Sequence, residues 1–382
     1  MADLRIEESP GHVLAPAVSE AEERVSLASN RQLIWWRFRK HRLAMVSGAM
    51  LIVFYLVVLF PHFFAIQDPE ATDARLAFIP LQHLTVLDGW RFRPSVPAVA
   101  GKRNPETLRM EWQVDETRRV PIALFARGYT YSVLGLFRAD IHLLGTRDDG
   151  ERRIFLLGTD RLGRDQWSRL MLGTRTSMTV GLLAVTLSVI IGAVMGGLSG
   201  YFGGWLDLGI QRVIELLQSL PTIPIWLAMT AALPQDWPPQ KVFFAITIIL
   251  ALIGWTTLGR EIRGRFLSLR EEDFVLAADL AGCSRSRIIL RHMLPAMTSH
   301  LIATSTLAIP VLIISETSLS YLGLGIRPPA ISWGVLLQEA QNIQTVANAP
   351  WLLIPGLFVI VAVLAFNLVG DGLRDAADPY GH

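Results

Sequence analysis

Three polar residues lie inside long apolar stretches, where a polar side chain is costly unless it has a task. They are Gln218, Glu316 and Asn367. An ionisable residue in such surroundings marks a solute or ion pathway by default, because hydrocarbon cannot solvate it. Glu316 lies near the end of its stretch, so helix packing or gating is as well supported as solute contact. The chemistry open to this set is polar contact with a passing solute.

Motifs for catalysis or nucleotide binding are absent from the sequence. It has no HExxH, GxSxG or GxxxxGK[ST] pattern, so we expect no catalytic site, no metal site and no P-loop for ATP. The single cysteine, Cys283, excludes an intrachain disulfide and a cysteine-based metal cluster, and we expect it to pack as a small residue. A formal net charge of +2 argues against a nucleic-acid-binding surface.

The polar segment 259–300 carries the densest arginine set next to any apolar stretch, and it is longer than a turn requires. Its pattern predicts two short helices. The first covers Ser268–Ala281 and ends at Gly282, a residue typical of helix C-termini. The second begins near Ser284 and runs to Pro295. From the residues alone, this segment is equally well read as an interfacial hairpin at the lipid headgroups.

The elements that position these residues are membrane-spanning helices. Hydrophobic residues make up 51% of the chain and charged residues 18%, and the apolar residues cluster in runs of roughly 20, the length that crosses a hydrocarbon core. We therefore predict an all-α membrane protein with six transmembrane helices, over residues 43–65, 178–201, 212–233, 242–258, 301–319 and 351–369.

Charge distribution predicts the orientation of these helices. The basic residues Arg37, Arg39, Lys40 and Arg42 directly precede the first span, which places that end in the cytoplasm. With six spans, both termini are then cytoplasmic. The predicted domains are a cytoplasmic tail and basic interfacial segment at residues 1–42, the first span at 43–65, and an extracytoplasmic insertion at 66–175. A membrane domain follows at 176–382, with five helices and the cytoplasmic segment 259–300.

Local patterns predict details within this plan. Ile122–Phe137 and Arg152–Gly158 alternate in the manner of strands, so we expect the insertion to contain β-structure. Glycines at 192, 196 and 200 stack on one helix face and predict close approach of another helix. Pro221 and Pro224 predict a bend in the third span. Glu215 is expected to pair with Arg212.

The segment Ala277–Pro295, AADLAGCSRSRIILRHMLP, resembles the EAA loop of permease subunits in bacterial ATP-binding-cassette importers. That pattern is Glu-Ala-Ala, a glycine four residues beyond the second alanine, then a hydrophobic residue, one other and Leu-Pro. Leu276 stands where the family usually has Glu, and His292 stands at the hydrophobic position. Four further segments resemble the C-type permease of oligopeptide and dipeptide importers: Leu157–Val185, Gly200–Asp207, Ser315–Gly334 and Ala365–Pro379.

The resemblance implies a transport subunit of the bacterial inner membrane that couples to ATPase subunits through its EAA-like loop. The residues that this carries over are Ala277, Ala278, Gly282, Arg291, His292, Leu294 and Pro295. The implied partners are a second related permease, two ATPase subunits or a fused pair, an external solute-binding protein, and membrane lipid. ATP and Mg²⁺ would be bound by the ATPase subunits, with no cofactor in this chain.

Several alternatives stay open at this point. Peptides are the first expectation for the solute, with oligosaccharides, opines or nickel as alternatives on the same scaffold. The insertion 66–175 either contacts the binding protein, caps the pathway, or only stabilises the fold. A secondary transporter explains the hydropathy equally well, but it gives no reason for the arginine-flanked segment 259–300.

Overall fold

The structure is a computed structural model that describes residues 30–88, 91–103, 105, 110–146 and 153–377. The predicted N-terminal tail, up to residue 29, and the last five residues lie outside this range. Between them the chain is mostly helical, with a sheet between the first and second long helices.

Five described helices are long and apolar enough to cross a membrane, and a bent pair of shorter helices raises the number of candidate spans to six. The helices are α1 Asn30–Lys40, α2 Arg42–Leu59, α3 Pro61–Phe64, α4 Gln166–Phe202, α5 Gly204–Ser219, α6 Thr222–Ala231, α7 Pro239–Leu269, α8 Asp273–Leu280, α9 Arg285–Arg287, α10 Leu294–Ala296, α11 Thr298–Tyr321, α12 Trp333–Glu339, α13 Ile343–Asn348 and α14 Ile354–Ala377. A π-helical stretch, Ile288–Met293, joins α9 to α10, and 3₁₀ turns cover Ala74–Leu76 and Pro350–Leu353.

The bent pair is the predicted third span. α5 and α6 meet at 87° across Leu220 and Pro221, so residues 212–233 do not form one continuous helix. Pro221 has no backbone N–H with which to continue the α5 ladder, and Leu220 adopts an extended backbone before it. Pro224 lies in the first turn of α6 and does not break it.

The predicted close approach at the glycines occurs between α4 and α7. A Cβ atom on Gly192 would lie 3.1 Å from the backbone nitrogen of Gly259, and one on Gly196 would collide with the Gly259 carbonyl oxygen. Asp207 of α5 adds a two-point ion pair to Arg263 of α7, with an Nε to Oδ1 distance of 2.6 Å. These contacts hold α4, α5 and α7 in one layer.

α4 has 37 residues and begins at Gln166, well before the predicted start at Met178. The last part of the predicted insertion 66–175 is therefore helical. Asp165 caps this helix, because its Oδ2 accepts a hydrogen bond from the Ser168 backbone N–H at 2.8 Å. The early turns carry polar side chains that are buried, which is why hydropathy did not find them.

The sheet is a four-stranded antiparallel meander in the order β1-β2-β3-β4. Its strands are β1 Thr85–Asp88, β2 Arg91–Arg103, β3 Met110–Val133 and β4 Phe137–Thr146. β3 covers most of one predicted strand, but the prediction for Arg152–Gly158 was wrong, since its described residues from Arg153 on form no strand. Ile154 is instead buried against Val96 and Ile122 of the sheet.

The two ends of the described chain pack together. Phe38 of α1 is buried beside Gly372 of α14, where an added Cβ would lie 3.3 Å from the Phe38 ring. Ala44 at the start of α2 also contacts Gly372. The described beginning and end of the chain therefore lie at one end of the helix bundle.

Candidate functional site

A cavity of about 1070 Å³ opens between α5, α6, α7 and α11. Its wall is mostly aliphatic, and the side chains with hydroxyl or amide groups in it are Ser188, Gln218, Thr222, Thr256, Thr257, Thr304, Ser315 and Ser318. A cavity of this size holds a small organic solute. The break between α5 and α6 forms part of the wall, so the kink predicted from Pro221 shapes the site.

Gln218 is the predicted pathway residue that the structure brings to the cavity. It lies on the last turn of α5, and its Nε2 donates a hydrogen bond to Thr256 Oγ1 of α7 at 3.2 Å. An amide makes more hydrogen bonds than this one, so Gln218 retains donor and acceptor capacity toward a solute.

Glu316 does not line the cavity. It is fully buried on α11, where its carboxylate accepts hydrogen bonds of 2.8 Å each from the hydroxyls of Ser177 and Ser320. The Ser177 hydroxyl in turn accepts the backbone N–H of Trp333 at 3.1 Å. Glu316 therefore joins α4, α11 and α12, which favours the packing role among those left open. Asn367 is half-buried on α14 and also lies away from the cavity wall.

Two features of the cavity were missed from the sequence. Trp226 of α6 lines it, and its indole N–H is buried with no hydrogen-bond partner among the described residues. At one mouth stand four ionisable side chains, Arg260, Glu261, His300 and Arg374, with His300 Nε2 at 3.9 Å from Glu261 Oε2. Three of these residues, Arg260, Glu261 and His300, lie at the ends of segment 259–300, which the sequence had marked as charged. The sequence did not show that their side chains face a cavity.

The EAA-like loop forms a compact helical segment that lies in sequence between Glu261 and His300, two residues of that mouth. Ser268 belongs to the end of α7, so the first predicted helix is shorter and begins at Asp273 as α8. Gly282 follows α8 with φ of +75°, the left-handed conformation expected of a glycine at a helix end. Ser284 then starts the second helical stretch, in an extended backbone conformation.

The residues predicted for this loop divide between two faces. Ala278 is buried and Leu294 packs partly beneath it, in a cluster with Phe266, Ile288 and Met293. The other predicted residues are exposed or half-buried: Ala277, Gly282, Arg291, His292 and Pro295. On the outer side of α8, Leu276 is 50% exposed and Leu280 is 89% exposed. An apolar surface of this kind is typical of a protein contact.

A buried ion cluster ties the start of α4 to α12. The Arg169 side chain, 1% exposed, donates to Asp160 Oδ2 at 2.7 Å and to Glu339 Oε2 at 2.5 Å. Arg164 bridges the same two carboxylates. Burial acts to raise the pKa of Glu339, but the hydrogen bonds and charges of Arg169 and Arg164 outweigh it and hold that pKa below its usual range. Sequence reasoning did not identify this cluster.

Arg212 and Glu215 form the predicted ion pair, with a distance of 2.8 Å from Arg212 Nη1 to Glu215 Oε2. Among the described residues no group of three or more His, Cys, Asp or Glu side chains is placed to hold a metal ion.

Comparison of this chain with known proteins identifies its family. Residues 188–380 match the family model for the binding-protein-dependent transport system inner membrane component. This chain belongs to that permease family. Residues 29–82 also match the N-terminal transmembrane domain of oligopeptide transport permease C, so the chain is a permease of the oligopeptide/dipeptide type, and it is a multi-pass membrane protein.

Named relatives agree with this assignment. The dipeptide transport system permease protein DppC of Alkalihalophilus pseudofirmus is 39% identical over 58% of this chain and 71% of the relative. The oligopeptide transport system permease protein OppC of Bacillus subtilis is 35% identical over 67% of this chain and 79% of the relative. The oligopeptide transport system permease protein OppC of Haemophilus influenzae is 40% identical over 58% of this chain and 69% of the relative. Among solved structures, that of the MetNI methionine ABC transporter in an inward-facing conformation aligns over 54% of this chain and 95% of its own, at 16% identity and a TM-score of 0.43; the assignment does not rest on it.

Proposed function

We propose that this permease forms one half of a translocation pathway for peptides and is driven by separate ATPase subunits. The observation that carries the proposal is the cavity at the broken third span, whose charged mouth includes Arg260, Glu261 and His300, at the two ends of the segment 259–300 that contains the EAA-like loop. Solute contact and energy coupling are then served by neighbouring parts of one helix layer. A second related permease subunit supplies the other half.

The proposed coupling contact is the outer face of α8. Leu276, Ala277 and Leu280 present exposed apolar surface there, while Val275 and Ala278 anchor the helix from below. A buried underside makes α8 a firm element through which a partner can push. Leu276 in place of the usual Glu removes a charged contact, so docking at this position relies on apolar burial, at roughly 25 cal/mol per Å².

The proposed orientation has α1, the end of α14 and the EAA-like segment in the cytoplasm. Three observations support it: the basic residues of α1, the packing of α1 on α14, and the arginines of segment 259–300. The insertion, including the sheet, then lies outside a bacterial inner membrane. There it is available to an external solute-binding protein or to cap the pathway.

The proposed division of labour leaves ATP and Mg²⁺ to two ATPase subunits or a fused pair. Peptides are the proposed solute because the named relatives are dipeptide and oligopeptide permeases. The cavity wall has hydroxyls and an amide among aliphatic side chains, which suits a peptide of mixed composition. Oligosaccharides, opines and nickel are the other solutes to include in an uptake panel.

The coupling contact is tested by Leu280→Glu, which places a charge in the proposed apolar contact without disturbing the fold, since the side chain is 89% exposed. We expect loss of ATPase copurification in mild detergent and loss of ATP-dependent uptake. The matched control is Leu162→Glu, at an exposed leucine of the insertion. Full ATPase binding by Leu280→Glu would refute the docking face, and uptake driven by an ion gradient without ATP would favour a secondary transporter.

A further inference from the structure

The tip of the β3–β4 hairpin is apolar, in contrast to ordinary hairpin turns. Leu134, Leu136 and Phe137 are 56%, 79% and 61% exposed. Leu134 and Gly135 both have positive φ, +50° and +76°, a geometry that Asn-Gly or Gly-Gly usually fills. Leucine at such a position costs backbone strain. Leu134 thus keeps an exposed apolar side chain at a position where glycine or asparagine would avoid the strain.

The hairpin runs toward the membrane-spanning part of the chain. At its base, Ile122 and Leu144 pack near Ile66. Further along, His142 Nδ1 lies 2.9 Å from the Ala65 carbonyl oxygen and 2.7 Å from that of His62. From the base of the hairpin toward its tip, the residues that it contacts therefore have decreasing sequence numbers, and they approach the end of α2.

The last of these contacts lies close to the tip. Tyr131 stacks on the His62 ring with a centroid separation of 5.5 Å, and the tip begins three residues later. At about 3.3 Å per residue, the strand then extends roughly 10 Å beyond that contact. The hairpin tip is thus carried past α3, in the direction of the span that precedes it.

Exposed apolar side chains lie on both sides of the contact between the hairpin and α3. Leu59 and Phe60, at the end of α2, are 49% and 39% exposed. Phe63 of α3 follows. Its ring centroid lies 6.2 Å from that of Phe125 on β3, and Phe125 is 65% exposed. Arg138, next to Phe137, is exposed, and cationic and aromatic side chains are both favoured at the headgroup level.

We propose that the β3–β4 hairpin inserts its tip, residues 134–137, into the lipid leaflet beside the α3 end of the first span. The occupant of this apolar surface is lipid, because the successive contacts of the hairpin lead toward the end of α2, whose exposed apolar side chains face lipid. The inference requires that α2 span the membrane and does not depend on which solute is carried. The sheet is then held at two places, by α3 and by the bilayer.

The test uses a nitroxide label on Leu136→Cys in a Cys283→Ser background, with the full chain in phospholipid nanodiscs. We expect the label to collide more often with oxygen, which partitions into lipid, than with a water-soluble nickel chelate. Leu134→Cys is a second variant with the same expectation. The matched control is Glu116→Cys, exposed on the same strand far from the tip, where the chelate should collide more often.

Two results would overturn the proposal. Higher accessibility to the chelate at both 134 and 136 would place the tip in water. Low accessibility to both reagents would mean that protein covers the tip, in which case the surface is an interface with another subunit and lipid is the wrong occupant.

Discussion

Arg169 has no access to solvent, and its charge is balanced by Asp160 and Glu339. Breaking a buried ion pair by removing one partner costs about 3–5 kcal/mol, because the remaining charge is left uncompensated. Glu339 ends α12, and Asp160 precedes α4. The insertion and the α12 region are therefore held together by charge at one buried point, and their relative position depends on these few side chains.

Asp165 is the residue from which a pH dependence follows. Burial raises its pKa to about 6, against the opposing hydrogen bonds from Ser168, while the unfolded value is 3.8. The folded state thus holds this proton more tightly than the unfolded state. Its contribution to stability is present below about pH 4 and is lost as pH rises through 6, and the difference between the two pKa values corresponds to at most about 3 kcal/mol.

We predict that Asp165→Asn removes this pH dependence. Asparagine keeps an oxygen for the Ser168 N–H but does not ionise. Thermal unfolding in detergent should show a wild-type midpoint that rises, relative to that of the variant, as pH falls from 7.5 to 5. Glu339 loses its stabilising charge only below its unfolded pKa of 4.5, so it does not interfere in this window. A constant difference between the two proteins would contradict the assigned pKa.

At the scale of elements, the contact between α4 and α7 allows no added side-chain volume at the glycines. A side chain on Gly196 would meet the backbone of Gly259 and the Ile262 side chain. Backbone cannot withdraw as a flexible side chain can, so the helices must separate to admit it. Separation would also move Arg263 away from Asp207, which lies on the neighbouring helix α5.

We therefore predict that Gly196→Val destabilises the folded permease by at least the 1–3 kcal/mol that is typical of overpacking. The measurement is the unfolding midpoint in detergent. Gly264→Val is the matched control, because Gly264 lies on the partner helix α7 and an added Cβ there has no atom within 4 Å. Equal midpoints for both variants would show that the two helices do not touch at Gly196.

How far the sequence predicts these elements depends on how local their causes are. Apolar runs, Pro221 and Gly282 act through neighbouring residues, so the candidate spans, the bend and the end of α8 were predictable. The start of α4 was not, because Arg169 looks soluble until it meets Glu339, 170 positions away. Likewise, hydropathy placed Gln218 and Glu316 inside helices but did not show which of them faces the cavity.

On the scale of the whole molecule, the charged mouth of the cavity includes residues from both ends of segment 259–300, which contains the EAA-like loop. The three polar residues predicted to lie on the pathway differ in their position relative to the cavity. Gln218 faces it, while Glu316 and Asn367 do not. This separation gives the pathway proposal an internal control.

We predict that Gln218→Leu lowers peptide uptake in reconstituted vesicles while ATPase copurification is unchanged, because the substitution removes an amide from the cavity wall and leaves α8 intact. Asn367→Leu, a matched change away from the cavity, should retain uptake. Loss of uptake in both variants, or in neither, would argue against this cavity as the pathway.

α4 has one further mechanical property. At 1.5 Å per residue, its 37 residues extend about 55 Å, while the hydrocarbon core is about 30 Å thick. Nearly half of this single rod therefore stands clear of the hydrocarbon. One end holds the charged junction with α12, and the other meets α5 and α7. If α4 turned by about 10° about one end, the other end would move by roughly 10 Å, so a small rotation on one side of the bilayer would become a large displacement on the other.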